Sequence, residues 1–324
     1  MRNFFAKVLS GLLILTTLSC TTENAEDLEI NHADLRMSQV DQDVIDIYEP
    51  DLYPEGIEYD IRGDRFLISS INRGDIGQVI NGEYSVWLSN PDFTSTLGLH
   101  IDHTKKRVLI TNTNIDGSLA ELFAYDLSGK FLFKVDLGIL SDGGHLANDV
   151  TVDRHGNAYI TDSYAGIIYK VDPAGVAEIF LNDEALAPPP GAFGLNGIDY
   201  DPRGFLIVSR VVSNELFKIP LDDPQNFSRI QLSAALYSPD GLYLKNPNEL
   251  LVVSNDFGGV NSRVQTFRTR DRWETATLTD EFLSPGNFLT TVVVKRNTPY
   301  VLSAHLDVLL AGGSTDVFSI LKVE

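Results

Sequence analysis

Cysteine is nearly missing from this 324-residue chain: Cys20 stands alone, so no disulfide can form within it. Basic residues are scarce as well. Twenty-five Lys and Arg face forty-five Asp and Glu, a formal net charge of −20, and such a field repels nucleic acid and anionic lipid headgroups. Beyond residue 18 no apolar run is long enough to cross a bilayer. These absences exclude a disulfide-stapled scaffold, a nucleic-acid binder and a chain with several membrane-spanning helices. What is present is 43% hydrophobic and 10% aromatic residues, enough to bury a large core. The acidity favours cations, and it also serves plain solubility.

The N-terminus reads as an export signal. Arg2 and Lys7 give a positive start, Val8 to Leu18 form an apolar run too short to span a membrane stably, and Leu18-Ser19-Cys20 ends it. A small residue before a cysteine resembles the cleavage site of bacterial lipoproteins. That resemblance implies removal of residues 1–19, acylation of Cys20, and an extracytoplasmic protein that touches the cell envelope only through its lipid. Plain secretion with an incidental cysteine is the alternative. Residues 20–43 are polar, acidic and aperiodic, and read as a flexible tether; the folded part is expected over 44–324.

From there one unit repeats six times. PEGIEYDIRGDRFLISS, LGLHIDHTKKRVLITNT, ANDVTVDRHGNAYITDS, LNGIDYDPRGFLIVSR, PDGLYLKNPNELLVVSN and TTVVVKRNTPYVLSAH each hold a short strand, a polar turn and an apolar strand. Turn chemistry such as Arg62-Gly63-Asp64 and His155-Gly156-Asn157 reverses the chain between antiparallel strands. A third, aromatic and β-branched strand is expected over 85–90, 122–127, 167–172, 215–220, 264–269 and 317–323. Equivalent positions at 55, 97, 148, 196, 240 and 290 lie 42, 51, 48, 44 and 50 residues apart. A repeat of that size with three or four strands is a propeller blade, so the chain is expected to be an all-β, six-bladed β-propeller. The last unit lacks an outer strand, and residues 44–50 are expected to supply it and close the ring, leaving no open edge.

The first strand of a blade lines the central axis. The six equivalent positions therefore form a ring: Glu55, Leu97, Asn148, Asn196, Asp240 and Thr290. Two carboxylates and two amides meet there without a Lys, Arg or His, and buried unpaired carboxylates are costly. One divalent cation held by Glu55, Asn148, Asn196 and Asp240 resolves the conflict. Hard oxygen donors suit calcium, with magnesium or manganese as alternatives, and the missing thiolate and imidazole disfavour zinc. Taken singly, each of these residues is equally at home bonding the backbone at a strand start.

These motifs, PEG at 54–56, ND at 148–149, NG at 196–197 and PDG at 239–241, resemble those of the senescence-marker-protein, gluconolactonase and luciferin-regenerating-enzyme family. Members are six-bladed propellers related to diisopropyl fluorophosphatase. The resemblance covers roughly residues 50 to 324 and implies that Glu55, Asn148, Asn196 and Asp240 bind one catalytic divalent ion at the bottom of a pocket. Many lactonases of the family carry an Arg just before the asparagine motif. This chain has Leu146-Ala147 there, which speaks against a sugar-acid lactone.

The expected chemistry is hydrolysis of a small cyclic ester, with Asp240 as base, Glu55 as second candidate and His305 as a sharer of the proton. The second strand of each blade runs back toward the ring, so Ser70, Asn112, Ser163, Arg210, Asn255 and His305 are expected to overlook the metal. Arg210 is the candidate for an anionic substrate group, Asn112 and Ser163 for pocket lining, and Asn255 for fixing Asp240. The bland alternatives are an Arg paired locally and a His satisfied by loop backbone. ALAPPPGAFG (185–194) reads either as a stiff cover over the pocket or as a spacer. A monomer acting on a small molecule is expected; a binding or interaction propeller with a structural ion is the alternative.

Overall fold

A computed structural model describes residues 43–324. The expected signal peptide, Cys20 and tether residues 20–42 lie outside the described residues. Among the described residues no helix is long and apolar enough to cross a membrane.

Six sheets follow one another along the chain, antiparallel but for the short parallel strand Gln231–Leu232 at the edge of the fifth. Their innermost strands are Ile57–Asp60, Ser95–Asp102, Ala147–Val152, Leu195–Asp201, Pro239–Asn246 and Leu289–Lys295, blades 1 to 6 in order. Each inner strand packs beside that of the next blade, and blade 6 returns to blade 1. Blades stacked face to face bury both sides of their middle strands. In blade 2 all seven residues of Arg107–Thr113 are buried, whereas the outermost strand Phe131–Asp136 has none.

Closure uses the start of the described chain. Val44–Tyr48 pairs antiparallel with Val317–Lys322, joining Ile45 to Ile320 and Ile47 to Phe318. Ile47 is only 1% exposed, so this strand both adds ladder bonds and fills the seam between first and last blades.

Blade 1 differs from the sequence expectation. Of the expected stretch 85–90, residues 85–88 fall in its fourth strand, Glu83–Leu88, and the third is Ile76–Ile80. The two are joined by Asn81-Gly82, both at positive φ (55° and 84°), the Asn-Gly pair that a tight hairpin requires. Gly77 obscured the strand: it looks like a breaker, but a Cβ there would collide with the Tyr84 ring. The glycine makes room for a cross-strand aromatic.

Candidate functional site

The ring residues owe their placement to a repeated irregularity. Strand register breaks between Thr96 and Leu99, Ala147 and Val150, Leu195 and Ile198, Pro239 and Leu242, and Leu289 and Val292. Each break spans a ring position, and such bulges re-aim a side chain. Glycine follows the ring residue in four blades, at Gly56, Gly98, Gly197 and Gly241. A Cβ on Gly98 would lie 2.6 Å from the Asn148 carbonyl, and one on Gly56 or Gly197 would strike the Leu97 or Asp240 carbonyl. These glycines let the backbone of one blade approach that of the next around the axis.

Hydroxyls from neighbouring blades then fix the ring backbone. Thr111 donates to the Asn148 carbonyl at 2.7 Å, Thr161 to Asn196 at 2.6 Å, Ser209 to Asp240 at 3.0 Å and Thr291 to Glu55 at 3.0 Å. Sequence reading passed over these four residues because each looks like an ordinary β-branched or small strand residue. A hydroxyl recurring near the end of a second strand, in ITNT, ITDS and VSR, is a signal that could have found Thr111, Thr161 and Ser209; Thr291 lies on a first strand, Leu289–Lys295.

Glu55, Leu97, Asn148, Asn196 and Asp240 line one cavity of ≈ 340 Å³ at the end of the axis. Thr290, the sixth ring position, is fully buried, and its Oγ1 has no partner among the described residues. The Asn148 amide is oriented by chemistry. Ser163 Oγ donates to the Leu195 carbonyl at 2.6 Å and therefore accepts from Asn148 Nδ2 at 2.9 Å. Asn148 Oδ1 is left buried without a hydrogen-bond partner among the described residues. Asp240 is held on one side by Asn255 Nδ2, which donates to Oδ2 at 2.7 Å, and on the other by Asn196. Asn255 also gives a bond to the Leu289 carbonyl and accepts from the Phe257 amide, so its orientation too is determined.

Burial and mutual repulsion dominate the electrostatics. Desolvation, then the nearby Asp149 carboxylate, pushes Asp240 up to about 8. Glu55 is raised well above the carboxylate range by burial, by Asp240 and by Asp149. No Lys, Arg or His lines the cavity. An unpartnered amide oxygen, two carboxylates and a fourth oxygen donor at Asn196 are the set that a hard cation fits.

Below this floor, further along the axis, the carboxylates have backbone partners. Asp149 accepts from the Ile198 amide and Asp199 from the Leu244 amide, each reaching into the next blade. His100 pairs with Glu58 at 3.2 Å. This tier is consumed by holding blades together.

Several expected pocket residues have other tasks. Arg210 lies outside the cavity lining: its guanidinium donates to the Leu186 and Ala187 carbonyls at 3.1 and 2.8 Å, pinning the chain that leads into the 188–194 loop. A guanidinium satisfied by backbone does not clamp a substrate anion. Asn112 is fully buried, donating to Glu121 and to the Asp92 carbonyl. Ser70 donates to the Leu52 carbonyl. His305 sits in the left-handed region (φ 51°) before the short helix Leu306–Leu310 and packs on Phe318. It is not among the lining residues, and the helix it starts contributes instead. Ser163 acts through Asn148 rather than on the cavity. Of the second-strand candidates only Asn255 lines the cavity.

Register explains part of this. Asp162, not Ser163, pairs with Ala147, as Arg210 pairs with Leu195. Asp162 belongs to a network that sequence reading missed: His145 Nδ1 lies 2.7 Å from Asp162 Oδ2, which also accepts from Tyr169 at 2.8 Å. His145 is raised and Asp162 lowered by their bond. The network anchors the chain immediately before Leu146 and Asn148.

The 185–194 segment contributes to the cover. Its Phe193 lines the cavity, stacks on Phe257 from blade 5 with centroids 5.8 Å apart, and meets Tyr164 at 5.7 Å.

Known structures share this architecture. A major allergen of Malassezia sympodialis, Mala s 1, superposes with a TM-score of 0.67 at 17% identity, over 87% of this chain and 96% of its own. A gluconolactonase from Xanthomonas campestris gives 0.59 at 14% identity, over 87% and 89%. Virginiamycin B lyase from Staphylococcus aureus gives 0.55 at 12%, over 87% and 98%. Identity this low establishes the fold alone. No family model matches the sequence, and no curated protein does.

Proposed function

We propose that this protein is a divalent-metal-dependent hydrolase of a small cyclic ester, lactonase-like in its chemistry. The observation that carries the reading is the convergence of Glu55, Asn148, Asn196 and Asp240 on the cavity floor, with Asn148 Oδ1 unpartnered among the described residues and no cationic side chain in the lining. Those four residues would hold the ion, with calcium the best match to uncharged and carboxylate oxygens and magnesium or manganese compatible. When bound, the cation supplies Lewis acidity toward an ester carbonyl.

The chain's own residues do the rest. Asn255 and Asn196 fix Asp240, and Ser163 fixes the Asn148 amide. Water attacks the carbonyl carbon, forming a C–O bond, and its proton passes to a carboxylate oxygen of Asp240, or of Glu55 in second place. The ring C–O bond breaks, and the proton is returned to the departing alkoxide, giving the hydroxy acid. The apolar walls and the Phe193–Phe257 pair exclude bulk water. Cys20 as lipid attachment would hold the propeller outside the cytoplasm, as a monomer facing small molecules. A gluconolactonase and a virginiamycin B lyase are among the proteins that share the fold, which is compatible with an enzyme.

One observation favours a second reading. The lining offers no histidine, lysine or tyrosine, so a non-catalytic binding propeller with a structural ion uses the same geometry. The test is an assay of the purified protein on simple lactones and aryl esters, with calcium and with chelator. Turnover that needs the ion and disappears in Asp240→Asn supports hydrolysis. Activity retained in single variants of all four floor residues sinks it.

A further inference from the structure

The floor is polar, but the walls are not. Above Glu55, Asn148, Asn196 and Asp240 the cavity is enclosed by Leu97, Leu146, Phe193, Phe257, Phe288 and Leu309, with further aliphatic side chains between them. They come from different blades. Leu146 precedes the blade 3 ring residue, Phe193 lies on the loop into blade 4, Phe257 on a blade 5 loop, and Leu309 on the Leu306–Leu310 helix of blade 6. The polar groups outside the floor are few: Asn72, Ser95, Ser238 and Asn255, and Asn255 is occupied by Asp240.

We infer that the substrate is an uncharged ester or lactone carrying a hydrocarbon or aryl substituent, with its carbonyl at the floor and its apolar part against the Phe193, Phe257 and Leu309 wall. This rests on the hydrolase reading and adds the substrate class. Three features support it. An anionic substrate finds no cationic side chain in the lining, and the two floor carboxylates offset the charge of the ion they would hold. A polyhydroxylated substrate would bury hydroxyls against aliphatic carbon without partners, which costs binding. An alkyl or aryl group removes apolar wall from water, each buried methylene being worth roughly 0.8 kcal/mol, about fourfold. A space of ≈ 340 Å³ lies in the range of small-molecule pockets.

The test uses the full chain loaded with calcium. Two readouts are taken: kcat/KM on γ-butyrolactones bearing no, butyl or octyl side chains and on glucono-1,5-lactone, and thermal shift with the matching γ-lactams, which resist hydrolysis. Expected is a rise in kcat/KM of about threefold to fourfold per methylene until the cavity is filled, with glucono-1,5-lactone the poorest substrate. Lactam affinity should rise in parallel. Phe193→Ala and Phe257→Ala should flatten the chain-length dependence of kcat/KM and of lactam affinity alike. A flat series, or a preference for glucono-1,5-lactone, overturns the inference and leaves the hydrolase reading standing. Lactams that bind more tightly with chain length, without turnover of any lactone, uphold the apolar ligand class and overturn the hydrolase reading instead. Should either phenylalanine variant fail to fold, the parent's lactone and lactam series still decide the matter.

Discussion

Replacing Asp240 by Asn removes one charge from the floor and nothing else of size. Nδ2 of Asn255 keeps an acceptor, because the amide oxygen can take the place of Oδ2. In metal-free protein the change should be stabilising. Asp240 ordinarily titrates at 3.8 and is pushed up to about 8 by burial and by Asp149. An acid with a raised folded value is penalised above its unfolded value. Below pH 3.8 both states hold the proton and there is no penalty; between there and about 8 the penalty grows. At pH 7 the span from 3.8 is 3.2 units, which at about 1.4 kcal/mol per unit is on the order of 4 kcal/mol. Removing Asp240 also lightens the load on Glu55, which Asp240 raises. Denaturant unfolding in chelator should therefore show the parent losing stability from pH 4 to 8 and Asp240→Asn more stable than the parent at pH 7 by a few kcal/mol. Calcium should narrow that gap. At a hundred times its dissociation constant it adds about 2.7 kcal/mol to the parent and far less to the variant, which has lost a ligand charge. A variant no more stable than the parent in chelator, or an equal calcium gain in both, refutes the electrostatic account of the floor.

Other consequences can be measured independently. Thr161→Val keeps the shape but leaves the Asn196 carbonyl without its 2.6 Å donor; a loss of about 1–3 kcal/mol in unfolding free energy, with weaker calcium binding by calorimetry, is expected. Ile47→Ala opens a hole in the seam where Val44–Tyr48 closes the ring and should cost about 2–5 kcal/mol, read as a lower denaturation midpoint. His145→Gln tests the buried pair with Asp162. His145 is raised above its ordinary 6.5, so its contribution is complete below pH 6.5 and fades as pH rises through the folded value; Asp162 is lowered, so its share fades only as pH falls through a value below 3.8. The stability gap between parent and variant should be widest near pH 4–6.5 and narrow in alkali. A gap independent of pH would remove the ion pair from the account.

The fold was legible because it is periodic. Two strands and a turn recur at every blade, and period-two alternation with Gly, Asn and Asp at the reversals declares each hairpin locally. The one misassigned strand, Ile76–Ile80, carries a glycine whose purpose is a contact with Tyr84 across the hairpin, invisible until the pair is formed. The floor residues were legible for the same reason as the fold: equivalent positions in a closed ring meet at its axis. Their support was not. Whether Asn148 presents an oxygen depends on Ser163 being committed to Leu195, a contact that forms only when one blade packs on the next.

The pocket's walls separate the two kinds of information most clearly. Arg210 and His305 stand at positions where the repeat alone points them toward the ring residues, yet backbone carbonyls claim the first and a left-handed turn diverts the second. Sequence by itself determined what repeats: six blades, the strand that closes them, and the oxygen donors at their starts, because these depend on local pattern and symmetry. Tertiary structure alone decided what does not repeat: which loops cover the axis, which polar groups are already spent, and that the cavity above the donors is apolar. Loops of differing length obey no period, and their side chains acquire neighbours only when the ring has closed.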